Sequence, residues 1–201
     1  MAYYKITKEQ LTYLKKRDKE LKKLIEKYGV IEREVETDIF KALVYNIISQ
    51  QISTKAANTI KARLIKYLDD ITPKVVNDVS SEVLRSVGLS LRKATYIKEI
   101  ANRVLNGDLV FDDLRHLEDD EVIKELIKLP GIGVWTAEML LLFTLGRENV
   151  MSYLDLGIIR GLKRLYNKEQ LSKEEFLEIK KSFTPYASIA SLYIWKLASE
   201  N

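Results

Sequence analysis

Two short stretches of the chain combine residue types that can do chemistry. The first is Pro130-Gly131-Ile132-Gly133, between an apolar run ending at Leu129 and a new one starting near Val134. Two glycines remove side-chain obstruction from the turn, and a helix beginning just beyond them presents unpaired N–H groups. Such an end attracts an anion. The turn holds no side chain able to read a base edge, so the ligand it suits is a backbone phosphate, which positions a protein without specifying sequence. Ile132 is expected to tuck inward and fix the turn. Taken alone, the same four residues also serve as a plain connection between packed helices. The second stretch is SYLDLGIIRGLKRLY, in which Asp155 precedes Leu156, Ile159 and Leu162 at helical spacing. Aspartate is favoured at a helix N-cap for structural reasons alone. The same position keeps a carboxylate ionised and suits it to face a developing positive charge.

Other chemistries have little material. The 201 residues contain no cysteine, which excludes disulfides, iron–sulfur clusters and thiolate zinc sites. A single histidine, His116, leaves no basis for a histidine metal site or a Ser-His-Asp triad, and its setting between Arg115 and Leu117 reads as surface or linker. The net charge of +4 fits a polyanionic partner without singling one out. The opening residues MAYYKITKEQ lack the apolar core of a signal peptide, and no window approaches the roughly 18 apolar residues of a membrane span. A soluble, intracellular chain with no membrane association is the expectation.

The elements that must position these residues are helical. Phe40, Leu43, Val44, Ile47 and Ile48 form an i, i+3, i+4, i+7, i+8 stripe; Ala57, Ile60, Leu64 and Leu68 form a second, and Ala94, Ile97, Ile100, Ala101 and Val104 a third. Val122, Leu126 and Leu129 lead into the Pro-Gly break. Thr7 with Gln10 and Ser172 with Glu175 have capping-box spacing, and Thr72-Pro73 sets proline at a first helical position. The reading is an all-α protein of about ten short helices. The run KKRDKELKK, between Thr7 and Tyr28, reads as a solvated helix face rather than a nucleic-acid arm. There is no repeat, low-complexity stretch or long linker. The weakest joints lie near residues 29–37 and 146–153.

The ordered motifs carry a resemblance. L-P-G-I-G-x-W-T-A, followed about twenty residues later by an aspartate opening a helix, is similar to the helix-hairpin-helix DNA glycosylase superfamily. More narrowly it resembles the 3-methyladenine DNA glycosylase II branch, as do IISQQISTKAA and GLSLRKA upstream, so the likeness covers roughly residues 40–195. It implies two closely packed lobes with the active-site cleft between them. Lobe A would span about 39–150 and contain the hairpin 129–134; lobe B would be 1–38 plus 151–201. With no room for the N-terminal β-rich domain of larger bacterial relatives, the chain looks like a minimal catalytic unit. Asp155 matches the family's catalytic aspartate. Trp135 stands where bifunctional relatives carry a lysine nucleophile, and tryptophan cannot form a Schiff base. The resemblance thus implies a monofunctional enzyme of base excision repair that hydrolyses the N-glycosidic bond of alkylated or otherwise damaged purines. One departure is Ser152, where many relatives have proline three residues before the aspartate.

A base must leave the duplex to reach such a carboxylate, and a flipped base is held between aromatic or apolar faces. Trp135 and Met139, at i, i+4 on one helix face, and Tyr186 after Thr184-Pro185 are the pocket candidates, with ordinary core packing as the alternative for each. Trp195 reads as core. Leu91 matches the family's wedge, which fills the gap in the stack, although it could equally be a helix staple. Gln51 resembles a glutamine that reaches toward the orphaned base, or else is a buried, hydrogen-bonded one. Arg92, Lys93 and Lys128 could meet phosphates or merely confer solubility, and Gly131 and Gly133 would meet the strand through their backbone. No cofactor and no catalytic metal are implied; the superfamily's hairpin carbonyls, here those of residues 129–132, can hold a monovalent cation. The implied partner is double-stranded DNA containing damaged bases, bound by a monomer. Two alternatives stay open: a non-catalytic helix-hairpin-helix DNA-binding module, and a bifunctional glycosylase-lyase with its amine elsewhere.

Overall fold

The structure, a computed structural model, describes residues 2–200. Along the chain, β1 (Ala2–Tyr3) is followed by α1 (Lys8–Arg17), α2 (Lys19–Tyr28), β2 (Glu34–Val35), α3 (Ile39–Ser49), α4 (Thr54–Leu68), α5 (Pro73–Asp78), α6 (Ser81–Ser86) and α7 (Leu91–Leu105). The remaining helices are α8 (Phe111–His116), α9 (Asp119–Leu126), α10 (Val134–Phe143), α11 (Leu156–Leu165), α12 (Lys173–Phe183) and α13 (Ala187–Ala198).

The all-α reading holds, with two differences. Thirteen helices occur among the described residues rather than ten, because α5, α6 and α8 are six residues each, too short to show a 3.6-residue period. The N-terminal segment also breaks in two at Asp18. This residue is extended (φ −142°, ψ 125°), and its Oδ1 accepts the Leu21 N–H at 2.7 Å, so one aspartate ends α1 and caps α2. The second difference is a small antiparallel pairing of β1 with β2, in register Ala2 to Val35 and Tyr3 to Glu34. Two residues per strand leave no alternation to read.

The local start signals are realised. Thr7 and Gln10 close a capping box, with Gln10 N donating to Thr7 Oγ1 and Thr7 N to Gln10 Oε1. Ser172 and Glu175 do the same for α12, and Thr72 caps α5 with Pro73 at its first position. No described helix is long and apolar enough to cross a membrane.

The chain divides into two compact units, Met1–Val35 with Leu141–Asn201, and Glu36–Leu140. The second crossing lies ten residues earlier than the 150/151 boundary expected from sequence, inside α10, whose run VWTAEMLLLF contains no residue that would interrupt a helix. In the first unit, Leu11, Leu14, Leu21, Leu24, Ile25, Ile158, Leu162, Phe176, Phe183, Tyr193 and Ile194 form one buried cluster. Its central contact is α11 against α13. A Cβ added to Gly161 would stand 2.5 Å from the Ile194 carbonyl oxygen, so glycine there sets how closely the two helices pass. Two buried serines of α13 organise the loop before α11: Ser188 Oγ donates to Arg147 O and accepts the Val150 N–H, and Ser191 Oγ donates to Val150 O.

In the second unit α7 is the central helix, packed on α3, α5 and α6. Ala94, Ile97, Ile100 and Ala101 of α7 meet a buried set that includes Phe40, Leu43, Val44, Ile47 and Ile48 of α3. The three predicted stripes therefore do face the core, except that Ile60 and Val104 are only half-buried.

Candidate functional site

In the second unit, Leu129 and Ile132 are buried and the Ile132 N–H donates to Leu129 O, so Ile132 pins the turn inward as its sequence suggested. The two glycines do different jobs. Gly131 has φ +78°, and a Cβ there would lie 2.5 Å from Tyr96 Cδ2 of α7, so both conformation and space demand glycine. Gly133 has an ordinary φ and open space within 4 Å of where its Cβ would be. It adds no side chain just ahead of α10.

Two neighbouring elements are tied to this turn. Gln50, which ends α3, donates from Nε2 to Gly131 O at 2.7 Å, and Lys93 of α7 donates from Nζ to Ile48 O at 2.8 Å and Gln50 O at 2.7 Å. An ammonium at a helix C-terminus satisfies carbonyls that have no helical partner. Lys93 is thus turned inward, and burial, with Arg92 nearby, pushes its pKa below the ordinary lysine value. Arg92 is exposed beside it. Lys128 is on the surface and holds the Glu125 carboxylate at 2.7 Å. Gln51 follows the brace with φ +57°, a strained region for a residue with a side chain, and is exposed. Ser90 caps α7, leaving Leu91 at its first position with 58% of its surface exposed. Trp135 and Met139 lie one turn apart on α10, the indole 41% exposed and the thioether buried.

In the first unit, Asp155 is the N-cap of α11 with φ −86°, its Oδ1 accepting the Ile158 N–H at 2.9 Å. Asp155 as a whole residue is only 9% exposed, yet its sequence neighbours Leu154 and Leu156 stand out to solvent. Ser152 is fully buried: its hydroxyl accepts the Leu154 N–H and its carbonyl the Asp155 N–H, so hydrogen bonds shape the loop before α11. Tyr186 precedes α13, half-buried, with Tyr13 edge-on at 5.3 Å.

Sequence reasoning missed two residues. Trp195, taken for core packing, donates from Nε1 to Asp155 Oδ1 at 2.9 Å, and its ring stacks on Phe143 at 5.7 Å. The available signal was the pair Gly157 and Gly161, one turn apart in α11, which announces a close neighbour. Gln50 was passed over for Gln51; its place at the end of an apolar helix, beside another glutamine, was the signal there. Among the described residues no group of three or more His, Asp or Glu could hold a metal ion, and His116 is exposed.

Residues 44–185 match the family model described as "HhH-GPD superfamily base excision DNA repair protein". The chain belongs to that superfamily. It is 30% identical over 167 residues to the putative DNA-3-methyladenine glycosylase YfjP of Bacillus subtilis, a match taking in 79% of this chain and 58% of that protein. Its fold is similar to the crystal structure of a DNA-3-methyladenine glycosidase from Bacillus halodurans, with TM-score 0.88 and 36% identity over 99% of this chain and 93% of the other. It is also similar to the 3-methyladenine DNA glycosylase Mag1 of Schizosaccharomyces pombe, solved in complex with abasic DNA, with TM-score 0.81 and 29% identity over 94% and 95% of the two chains.

Proposed function

We propose that the chain is a monofunctional DNA glycosylase that hydrolyses the N-glycosidic bond of alkylated or otherwise damaged purines in double-stranded DNA, leaving an abasic site. The observation that carries this reading is Asp155: a nearly buried aspartate that caps α11 and is held by an indole N–H, at the position that by resemblance matches the family's catalytic aspartate. A fixed negative charge of this kind stabilises an oxocarbenium-like sugar as the base departs, and water then reaches C1′. A purine already carrying positive charge leaves readily, so no dedicated general acid is required. Names of similar proteins support the alkylated-purine class.

The other residues take supporting roles. The N–H groups beyond Gly133 hold a strand phosphate, Arg92 and Lys128 add positive charge, Trp135, Met139 and Tyr186 are each candidate contacts for a flipped base, and Gln51 reaches the orphaned partner. Lys93 acts from within, by bracing the turn. The Leu129 and Gly131 carbonyls already accept Ile132 N–H and the Gln50 amide, and each keeps a second lone pair. These hard oxygens fit a monovalent cation that would stiffen the hairpin and take part in no chemical step. The protein works inside the cell, as a monomer.

The test is incubation with a panel of duplexes containing 3-methyladenine, 7-methylguanine, hypoxanthine or ethenoadenine, with the released bases identified. Release of one or more is expected, undiminished by EDTA and with no adduct trapped by borohydride. Trapping would show an amine nucleophile, and binding without release would show a non-catalytic module. Leu91, exposed at the head of α7, takes the wedge role and enters the stack. Leu91→Ala is expected to weaken binding to damaged duplex about tenfold and to spare single strands, which have no stack to fill; fluorescence anisotropy on both substrates checks this, and equal losses would remove the wedge role.

A further inference from the structure

We infer that Trp195 is a positioning residue for the reaction, holding Asp155 through its indole N–H; the inference rests on the reading of Asp155 as the catalytic carboxylate. Two donors converge on Asp155 Oδ1, the Ile158 N–H from within α11 and Trp195 Nε1–H from α13, each at 2.9 Å. The first comes with any N-cap. The second does not, because it requires a residue forty positions away to arrive at the right depth and angle. With both in place, the carboxylate cannot turn about its own bond without giving up one of them.

The surroundings of the indole are built for this bond. Phe143 stacks on the Trp195 ring with 25° between planes, and the Arg33 guanidinium lies 5.0 Å from the centroid of Phe143 on α10. Rotation of the indole is thereby restricted. Beneath it, a Cβ on Gly157 would stand 2.9 Å from Trp195 Cδ1, 3.0 Å from Asp155 Oδ1 and 3.2 Å from Trp195 Nε1. Any larger residue would wedge the donor from its acceptor. One turn later Gly161 allows the Ile194 backbone, adjacent to Trp195 in sequence, to approach α11. Two glycines and a stacked phenylalanine thus serve one hydrogen bond.

The bond matters to the reaction because a carboxylate that stabilises a cationic sugar acts only from a fixed place, and a donor on one oxygen settles where the charge sits. A hydrogen bond to a charged group contributes enough that losing it costs on the order of tenfold in rate.

The experiment compares wild type with Trp195→Phe and with 3-benzothienylalanine at position 195, which keeps the bicyclic shape and replaces N–H by sulfur. Single-turnover excision from a 7-methylguanine duplex gives the rate constant and the half-saturating concentration separately. Both variants are expected to lose about tenfold or more in rate constant while half-saturation and Tm stay near wild type. Wild-type rates in the 3-benzothienylalanine protein, or a loss confined to half-saturation, would overturn the inference. A second readout needs no activity. The chain has two tryptophans, so the indole ¹⁵N–¹H spectrum holds two signals, and that of Trp195 is expected to shift upfield in Asp155→Ala with the Trp135 signal less affected. An unmoved Trp195 signal would also overturn the inference. If Asp155→Asn excises like wild type, the reading of Asp155 as the catalytic carboxylate fails instead, and the indole shift alone shows whether the bond exists.

Discussion

Asp155→Asn is expected to lower base release by a factor on the order of 10² to 10³ while leaving affinity for damaged duplex within a few-fold of wild type. The substitution is close to isosteric. The Asn Oδ1 still accepts from the Ile158 N–H and from Trp195 Nε1, so α11 keeps its cap and α13 its seat. What disappears is the negative charge. An N-cap asparagine serves a helix about as well as aspartate, so no large change in Tm is expected either. The three measurements together separate roles that a single activity assay would merge. A non-catalytic module would bind DNA equally well with either residue and release no base with either. An enzyme whose carboxylate were only a cap would release base at an unchanged rate, and that outcome would remove Asp155 from the reaction.

Gly131→Ala is expected to damage the hairpin itself. At φ +78° an alanine costs about 1–2 kcal/mol in left-handed backbone. The new Cβ would also lie 2.5 Å from the Tyr96 ring, an overpacking cost of about 1–3 kcal/mol. Either the ring moves or the turn does, and turning the peptide would pull the Gly131 carbonyl from the Gln50 amide. The expected result is a Tm several degrees lower and DNA affinity reduced at least tenfold. Gly133→Ala is the control: its Cβ meets nothing and its φ is ordinary, so Tm should hold while the methyl group stands in the way of a phosphate. Loss of Tm in both variants, or in neither, would contradict the division of labour between the two glycines.

The parts of this structure that could be read from sequence are those decided within a few residues. The capping boxes at Thr7 and Ser172, the proline opening α5, the apolar stripe of α3 and the N-cap role of Asp155 all depend on neighbours no more than four or eight positions away. The inward turn of Ile132 follows from an apolar side chain between two glycines. Lys93 shows where such reading stops. Beside Arg92 at a helix start it looks like surface charge, and only the carbonyls of Ile48 and Gln50, over forty residues earlier, draw it inward. Trp195 is hidden for the same reason: its partner is set by how closely α13 crosses α11, a tertiary distance fixed by Gly161 and Ile194. Short helices and two-residue strands escape because a period needs length to declare itself.

The chain of bonds from Lys93 through Gln50 to the Gly131 carbonyl joins the head of α7, the α3–α4 turn and the hairpin before any nucleic acid arrives. Flexible loops that meet a ligand separately must each be immobilised at the moment of contact, and that ordering weakens binding. Here the ordering takes place when the protein folds. On the proposed function, a glycosylase sampling a long duplex meets undamaged DNA almost every time, and three loops set in advance let each fruitless encounter end as quickly as it began, with nothing to refold between one site and the next.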